Sequence, residues 1–421
     1  MKPTPCRLCG APLVHSLVDL GVTPLANAYV TAEQAAQGLD QAYPLHARVC
    51  SSCLLVQVDE AVPPTAIFSD YAYFSSVSSS WVAHAAQYAA QMQTRLELGP
   101  HSLVAEVASN DGYLLQHFQR AGIPVLGIEP AANVAARAQA IGIPTAVEFF
   151  NAQSAVGLVE RYGQADLVAA NNVLAHVPDI RGFVAGFPKL LRPEGVLTFE
   201  FPHLLNLIEQ VQFDTIYHEH FSYLSLLVVE RVLREYGLRV FDVELLPTHG
   251  GSLRVFACHF GAAHGAQPAL ASVREREAGA GLHRPETYAA FAPRVATVIQ
   301  AFRRFIGAQR QARRTLVAYG AAAKGNTLLN CCGITRDDIV AVADRCPAKQ
   351  GKLLPGSHIP VVTPEALIAL RPDDVVILPW NIADEIAAEL QPLSTRGTRL
   401  WVATPLLHQI STPVAPLSEA A

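Results

Sequence analysis

The sequence predicts an α/β protein in which a small zinc-binding domain precedes two domains built on parallel sheets. Three observations indicate this fold class. Two CxxC pairs lie near the N-terminus, apolar strands alternate with helices from residue 102, and the alternation begins again after residue 255. Such alternation is typical of a Rossmann-like sheet that helices cover on both faces. We therefore expect a zinc-binding domain at residues 1–65, a cofactor-binding α/β domain at 66–255 and a second α/β domain at 256–421.

The composition narrows the class of protein. A chain of 421 residues is long enough for two or three domains, and 51% hydrophobic against 16% charged residues argues against disorder. The net charge of −5 and the aromatic content of 8% argue against a nucleic-acid partner, which usually requires a basic face with stacking rings. The sequence shows no signal peptide and no uncharged apolar run that could span a membrane, so we expect a cytoplasmic protein.

The first domain carries the cysteines that predict a metal site, which are Cys6, Cys9, Cys50 and Cys53. In a cytosolic chain, two CxxC pairs indicate metal binding rather than disulfides. Four thiolates fill the tetrahedral coordination that Zn²⁺ prefers, which favours a structural rather than a catalytic ion. Reduced thiols without a ligand, or a thioredoxin-like pair, are the alternatives.

The central region alternates between helix and strand. A Tyr/Ser-rich bridge at residues 71–80 leads into a helix from Trp81 to about Leu98, which Gly99 and Pro100 end. The apolar runs that follow predict strands at residues 103–107, 125–129, 166–170 and 196–200, with helices at 112–121, 132–140 and 183–191.

The turn after the first of these strands predicts a cofactor site. Only Gly112 remains of a GxGxG pattern, but Ser109, Asn110 and Asp111 are residue types that tolerate tight turns. Glu129 ends the second strand, where a carboxylate can accept both hydroxyls of a ribose. S-adenosylmethionine (SAM) lacks a pyrophosphate and does not require the full glycine pattern. The candidate cofactor residues are Glu106, Ala108, Asn110, Gly112, Glu129 and Asn171; solvation of strand ends is the alternative interpretation of the two glutamates.

Tyr217-His218-Glu219-His220 brings several proton-transfer groups together. Histidine titrates near neutrality and suits proton abstraction, a carboxylate can orient it, and a phenol can donate to a developing oxyanion. An exposed polar loop or a metal site are the alternatives. His176 and His203 follow two core strands at the edge where open α/β sheets bind ligands, although a capping or core role is equally open for His176.

The last region predicts helices within residues 262–312 and strands at 315–320, 339–344, 375–378 and 400–403. Lys324 follows the first strand in a small-residue turn before a helix, where backbone N–H groups favour phosphate. An ordinary small-residue turn is the alternative. Asp344, Trp380 and Asn381 lie at later strand ends and are weaker candidates for contacts to a nucleotide.

Together these motifs resemble those of the deoxysugar C-methyltransferases, three-part enzymes that methylate a carbon of a nucleotide-linked keto sugar. The resemblance covers nearly the whole chain. It rests on the paired CxxC motifs and on the segments 71–76, 106–112, 217–220, 249–254 and 320–328.

The resemblance implies a zinc domain, a central SAM-dependent methyltransferase domain and a C-terminal domain that helps to hold the nucleotide sugar. It implies that His220 is the general base, that Tyr217 and Glu219 orient the site, and that Tyr71 or Tyr73 reaches the sugar. We favour Tyr71 as the catalytic tyrosine. The candidate substrate-binding residues are Tyr73, His176, His203, Lys324, Asn326, Asp344, Trp380 and Asn381.

We therefore expect SAM-dependent C-methylation of a nucleotide-linked keto-deoxysugar, with dTDP as the expected nucleotide and C3 of a 4-keto sugar as the expected carbon. A ketone acidifies the neighbouring C–H bond, a base removes the proton, and the enolate attacks the methyl group. SAM and a structural Zn²⁺ are the expected cofactors, in a monomer or small homo-oligomer. The alternatives are a zinc-ribbon methyltransferase acting on RNA or protein, and a binding protein without catalysis.

Overall fold

The computed structural model describes residues 4–63 and 74–410, so Tyr71 and Tyr73 lie outside the described residues. Its strands, in chain order, are β1 (His15–Pro24), β2 (Ala42–Val49), β3 (Val56–Val58), β4 (Val104–Val107), β5 (Val125–Ile128), β6 (Thr145–Ala146), β7 (Ala165–Asn171), β8 (Leu191–Pro202), β9 (Ser222–Tyr223), β10 (Leu238–Leu246), β11 (Ser252–His259), β12 (Leu316–Tyr319), β13 (Val342–Ala343), β14 (Val361–Val362), β15 (Asp374–Ile377), β16 (Arg399–Val402) and β17 (His408–Ile410).

The helices are α1 (Ala32–Ala36), α2 (Ser79–Arg95), α3 (Leu115–Arg120), α4 (Ala132–Ala140), α5 (Ala152–Tyr162), α6 (Ile180–Val184), α7 (Phe187–Leu190), α8 (Leu204–Glu209), α9 (Leu226–Glu235), α10 (Pro268–Gly279), α11 (Pro285–Tyr288), α12 (Phe291–Gln311), α13 (Ala323–Cys332), α14 (Pro364–Ala369), α15 (Ala383–Glu389) and α16 (Gln391–Ser394). Short 3-10 turns lie at Ser75–Val77, Leu174–His176, Phe213–Thr215, Thr248–Gly250 and Trp380–Ile382.

The chain separates into two compact units, each made of several segments. Within the described residues, the first unit contains 4–15, 48–63, 74–205 and 220–287, and the second contains 16–47, 206–219 and 288–410. The division of the sequence into domains at residues 65 and 255 remains a prediction.

The first unit is built on a seven-stranded sheet in the order β10-β11-β8-β7-β4-β5-β6. Strands β4 to β8 run parallel, and β11 pairs antiparallel with both β8 and β10. All residues of β4 and β5 are buried, as expected of parallel strands covered on both faces. Ala105 and Val107 pack into one core cluster whereas Val104 packs into the other, because side chains alternate between the faces of a strand.

The helix predicted at residues 183–191 is two shorter helices, α6 and α7. Pro188 lies at the start of α7, where its missing N–H favours a new helix over continuation of the old one. Gly186 lies at the junction, and a Cβ atom there would come within 2.8 Å of the Phe150 ring. Close packing of Phe150 therefore requires a glycine at this bend.

The second unit contains a six-stranded sheet in the order β14-β13-β12-β15-β16-β17, parallel except for β17. The strand predicted at 339–344 is shorter and covers only Val342–Ala343. Gly320 follows β12 with φ of +86°, and a Cβ atom there would lie 2.3 Å from Pro379. The turn that leads into α13 therefore requires glycine.

The predicted α/β fold class is confirmed. The N-terminal segment also forms strands that the sequence analysis did not predict: β1 and β2 are neighbours in a sheet, and β3 pairs antiparallel with β9. None of the helices within the described ranges has both the length and the apolar character needed to cross a membrane.

A buried ion pair joins three neighbouring strands of the first unit. Arg254 on β11 faces Glu200 on β8 and Glu244 on β10, with nitrogen-to-oxygen distances of 2.6 and 2.8 Å. His84 Nε2 lies 2.9 Å from Glu200 as well. Burial opposes ionisation of Glu200, but the His84 hydrogen bond and the Arg254 charge outweigh it and hold the Glu200 pKa at about 2. The pair therefore remains ionised at neutral pH.

Replacement of Arg254 by leucine should leave Glu200 as a buried charge without its main partner. We expect the free energy of unfolding at pH 7 to fall by about 3–5 kcal/mol, measured by urea denaturation. The matched control is Arg161→Leu, because the pair of Arg161 with Glu148 is exposed and should contribute nothing measurable. Equal stability of the two variants would contradict the role given to Arg254.

Candidate functional site

The four cysteines of the CxxC pairs form one cluster in the first unit. Cys6 Sγ lies 3.5 Å from Cys53 Sγ, and Cys9 Sγ lies 3.5 Å from Cys50 Sγ. All four ligand atoms lie within 4.8 Å of one another. Tetrahedral zinc with bonds of about 2.3 Å places its sulfur ligands about 3.8 Å apart, so the cluster fits a four-thiolate site.

The surroundings of the cluster favour a thiolate at Cys6. Gln57 Nε2 donates to Cys6 Sγ over 3.1 Å, and the backbone N–H of Cys53 points to Cys50 Sγ. A hydrogen bond between the two sulfurs lowers the pKa of Cys6 and raises that of Cys53, because the Cys53 thiol donates to the Cys6 thiolate. With four thiolates the coordination sphere is complete, which fits a structural ion that takes no part in catalysis.

The cofactor loop follows β4 and is held by the end of β5. The Glu129 carboxylate accepts hydrogen bonds from the backbone N–H groups of Asn110, at 3.0 Å, and Ala131, at 2.9 Å. Ala108 and Asn110 have positive φ values of 58° and 50°, so the loop folds tightly without the missing glycines. Glycine is instead needed on β5, where a Cβ atom on Gly127 would lie 2.6 Å from Ser109 Oγ.

Buried polar atoms around this loop are left for a polar ligand to pair with. Among the described residues, Glu106 Oε2 and Asn171 Oδ1 are buried without a hydrogen-bond partner. Burial raises the pKa of both Glu106 and Glu129, since neither carboxyl group pairs with a cation. Gly112 has a φ of +81°, and a Cβ atom added there would lie 3.0 Å from Ile143. The loop therefore leaves no space for a side chain at this position. These residues fit SAM, whose ribose hydroxyls and amino group are donors.

The same loop also bonds to Ser75 and Ser76, which lie within the predicted bridge. Asn110 Oδ1 accepts from the backbone N–H of Ser75 over 2.8 Å. Asp111 Oδ2 accepts from Ser76 Oγ over 2.6 Å and from the Ser76 N–H over 3.2 Å. These contacts could not be predicted from the sequence, because a Ser-Ser pair is not distinctive of any binding or structural motif.

His220 lies in the first unit together with His176. Their ring centroids are 4.6 Å apart in an edge-to-face arrangement, and the ring of Tyr223 lies 6.2 Å from His220. His176 ends the turn that follows β7, at the sheet edge that also carries the cofactor loop after β4. The structure thus brings a predicted base and a predicted substrate residue together beside the strand ends.

His203 is placed differently. It is 1% exposed, and its Nε2 lies 2.7 Å from Glu277 Oε1. The Glu277 carboxylate also accepts from the backbone N–H groups of Leu226 and Leu227, at the start of α9. His203 therefore packs against a carboxylate that caps a helix, a contact that sequence analysis does not reveal because the two residues are 74 positions apart.

The first three residues of the acid–base motif belong to the second unit. Tyr217 is half-buried, whereas His218 and Glu219 are buried. Burial lowers the pKa of His218, and its Nε2 lies 3.3 Å from the carbonyl oxygen of Pro44. Burial raises the pKa of Glu219 to about 7, although hydrogen bonds from Asn27 oppose the rise. Glu219 therefore titrates near neutral pH.

Three predicted nucleotide contacts cluster in the second unit. Lys324 Nζ donates to Asn381 Oδ1 over 2.6 Å and lies 4.5 Å from the centroid of the Trp380 ring. Trp380 Nε1 donates to Asp214 Oδ2 over 2.8 Å. Burial lowers the pKa of Lys324 to about 8 and raises that of Asp214 to about 6. A cavity of about 250 Å³ adjoins Trp380 and Asn381.

Two other residues predicted to contact the nucleotide form hydrogen bonds within the second unit. Asn326 is buried, and its Nδ2 donates to the carbonyl oxygen of Ala26 over 2.6 Å. Asp344 Oδ1 accepts from the Cys346 N–H over 2.8 Å, and its Oδ2 lies 3.3 Å from Lys349 Nζ. The sequence analysis also missed Asn27 and Asp214, since single polar residues in irregular segments carry no periodic pattern.

Three family models match the chain. Residues 6–68 match a model described as "Putative zinc binding domain", residues 82–243 match "Methyltransferase domain", and residues 247–405 match "C-methyltransferase C-terminal domain". Among curated proteins, the chain is 36% identical over 406 residues to C-methyltransferase NovU of Streptomyces niveus, covering 96% of each chain.

Solved structures similar to this chain include two methyltransferases. The magnesium protoporphyrin IX methyltransferase from Synechocystis PCC 6803, with bound SAM, is 16% identical and gives a TM-score of 0.32 over 43% of this chain and 81% of that chain. An S-adenosylmethionine-dependent methyltransferase from Clostridium acetobutylicum ATCC 824 is 9% identical and gives a TM-score of 0.35 over 43% and 92%.

Replacement of Cys50 by serine should release zinc, because a hydroxyl is a much poorer ligand than a thiolate. We expect about one zinc ion per wild-type chain and far less in the variant, measured by plasma emission spectrometry. Cys346→Ser is the control, since Cys346 lies outside the cluster. Full zinc content in Cys50→Ser would contradict the four-thiolate site.

Replacement of Glu129 by glutamine should weaken SAM binding. A hydrogen bond to a charged group contributes about 1.5–3 kcal/mol, so we expect a loss of about 10–100-fold, measured by isothermal titration calorimetry. Glu148→Gln is the control, because the Glu148 carboxylate pairs with Arg161. If Glu129→Gln bound SAM as tightly as the wild-type protein, Glu129 would not be the acceptor for the ribose hydroxyls of SAM.

Proposed function

Because the chain belongs to the family of SAM-dependent C-methyltransferases, we propose that it methylates the carbon next to the ketone of a nucleotide-linked keto-deoxysugar. The first candidate substrate is a dTDP-linked 4-keto sugar, with C3 as the methylated carbon. We place this reaction in deoxysugar biosynthesis, carried out by a cytoplasmic monomer or small homo-oligomer.

The observation that carries this proposal is the pair formed by His220 and His176. A sugar carbon becomes a nucleophile only after it loses a proton, and a ketone on the neighbouring carbon makes that proton acidic. A neutral histidine is a suitable base near pH 7. The ring of His220 lies 4.6 Å from that of His176, which follows β7 at the edge of the methyltransferase sheet.

In the proposed reaction, neutral His220 accepts the proton from the carbon beside the ketone. The electron pair of the broken C–H bond moves toward the ketone oxygen, and a tyrosine hydroxyl, from Tyr217 or Tyr71, donates a hydrogen bond to that oxygen. Bound SAM would supply an electrophilic methyl group, which the enolate carbon takes up as the sulfur–methyl bond breaks and S-adenosylhomocysteine leaves. Glu129 and the cofactor-loop residue Asn110 would hold the cofactor, and the proton on His220 returns to water.

Residues of the second unit favour a substrate whose sugar is linked to a nucleotide diphosphate. Lys324 lies at the start of α13, where backbone N–H groups and the helix dipole favour anions. Trp380 and Asn381 lie against its ammonium group, at the carboxyl end of the neighbouring strand β15. These groups fit a diphosphate next to a planar or hydroxylated ligand.

The decisive experiment follows deuterium exchange and methylation. Wild-type protein is incubated in heavy water with a dTDP-linked 4-keto-6-deoxysugar, with and without SAM. The masses of the sugar products are then measured by mass spectrometry. We expect exchange of one C–H beside the ketone and, with SAM, the gain of one methyl group. His220→Asn should lose both by at least about 100-fold, in line with the usual contribution of a general base, while retaining SAM binding.

The control variant is His101→Asn, because His101 is exposed in a loop away from the candidate residues. Exchange that survives in His220→Asn would move the base to another residue. Absence of both exchange and methylation across a panel of keto sugars, in wild-type protein that binds SAM, would overturn the sugar substrate and direct attention to RNA or protein acceptors.

A further inference from the structure

A short N-terminal loop of the second unit lies against Glu219. Asn27 Nδ2 donates to Glu219 Oε1 over 3.3 Å, and the backbone of Asn27 also interacts with that carboxyl group. Asn27 itself is exposed, whereas Glu219 is only 5% exposed. An exposed polar side chain thus bonds to a buried carboxyl group 192 residues away along the chain.

The loop is anchored on both sides of Asn27. On the N-terminal side, Asn326 Nδ2 donates to the Ala26 carbonyl oxygen over 2.6 Å. On the C-terminal side, the Tyr29 hydroxyl donates to the Ala321 carbonyl oxygen over 2.5 Å, and Val30 exchanges two backbone hydrogen bonds with Leu353. The position of Asn27 is therefore fixed by contacts that Asn27 does not make itself.

These anchors lie next to Lys324. Asn326 is on the first turns of α13, and Ala321 lies in the turn that leads into that helix. The Ala321 carbonyl oxygen also accepts from Lys349 Nζ over 2.6 Å. The segment proposed to bind the diphosphate thus also holds the loop that contacts Glu219.

We infer that Asn27 is a positioning residue that holds Glu219, which directly precedes His220 in the chain. This inference rests on the proposed function in that it assigns Glu219 to the active site. Asn27 acts through Glu219 and needs no contact of its own with the substrate. Its N–H groups stabilise the ionised carboxylate against the cost of burial, and so set the pH at which Glu219 becomes charged.

Tyr29, in the loop that carries Asn27, is a titratable group near the Glu219 carboxyl group. Tyr29 interacts electrostatically with Glu219, and also with Asp344 and Cys346. Burial raises the pKa of Glu219 to about 7, and the Asn27 hydrogen bonds pull it down. Loss of Asn27 must therefore move the Glu219 titration to higher pH, whereas a role confined to folding would leave that titration in place.

The first test compares wild type with Asn27→Leu, a substitution of similar size at an exposed position. With 13C-labelled glutamate, the Glu219 carboxyl signal is assigned from its loss in Glu219→Gln and titrated by NMR. We expect its midpoint to rise by about one pH unit in Asn27→Leu, with SAM affinity and melting temperature unchanged. Gln37→Leu is the control, since Gln37 is exposed in the same N-terminal segment.

The second test is a double-mutant cycle on kcat for methylation. Asn27→Leu should lower kcat several-fold and raise the acidic limb of its pH profile in the wild-type background, and should cause no further fall in Glu219→Gln. Equal loss in both backgrounds, or an unmoved Glu219 titration, would overturn the inference. The NMR titration needs no substrate, so it decides the role of Asn27 even if keto sugars are not methylated and the proposed function fails.

Discussion

A carboxylate removed from water must be matched by a cation or by N–H donors, and this requirement organises both units. Taking the charge out of water costs several kcal/mol, so each buried carboxylate fixes the segments that supply its partners. Glu200 on β8 contacts both Arg254 on β11 and His84 on α2. Asp374 does the same in the second sheet, where Arg399 and Arg314 both lie within 2.9 Å.

The buried carboxyl groups fall into two classes, according to whether an arginine pairs with them. Where arginine is the partner, charge outweighs burial, and the pKa values of Glu200 and Asp374 are lowered. Where no cation pairs with the carboxyl group, burial prevails, and the pKa values of Glu129 and Glu219 are raised. The first class joins strands within the sheets. In the second class, Glu129 accepts from the cofactor loop and Glu219 directly precedes the proposed base in the chain. Raised pKa values of this kind are frequent among groups with a functional role.

The sequence predicted features that depend on local pattern. Continuous apolar runs identified the core strands, and Cys50 with Cys53 identified half of the metal cluster, because both signals lie within a few residues. The contact of His203 with Glu277 joins positions 74 residues apart and leaves no local trace. The sequence also did not predict that segment 16–47 belongs to the second unit. The cysteine pairs on either side of this segment suggested a single N-terminal domain.

The environment of Lys324 is consistent with the proposed binding of a diphosphate, because it holds the side chain in place without a direct ion pair. Its Nζ donates to the neutral oxygen of Asn381 and lies against the ring of Trp380, which leave its charge uncancelled. The nearby carboxylate of Asp214 accepts from Trp380 Nε1, and therefore orients the ring rather than pairing directly with the ammonium group. A direct pair would be close to neutral and would weaken the attraction for phosphate. Because burial lowers the pKa of Lys324 only to about 8, the group keeps its charge at neutral pH. An arriving diphosphate would stabilise that charge further, so binding and protonation of Lys324 favour one another.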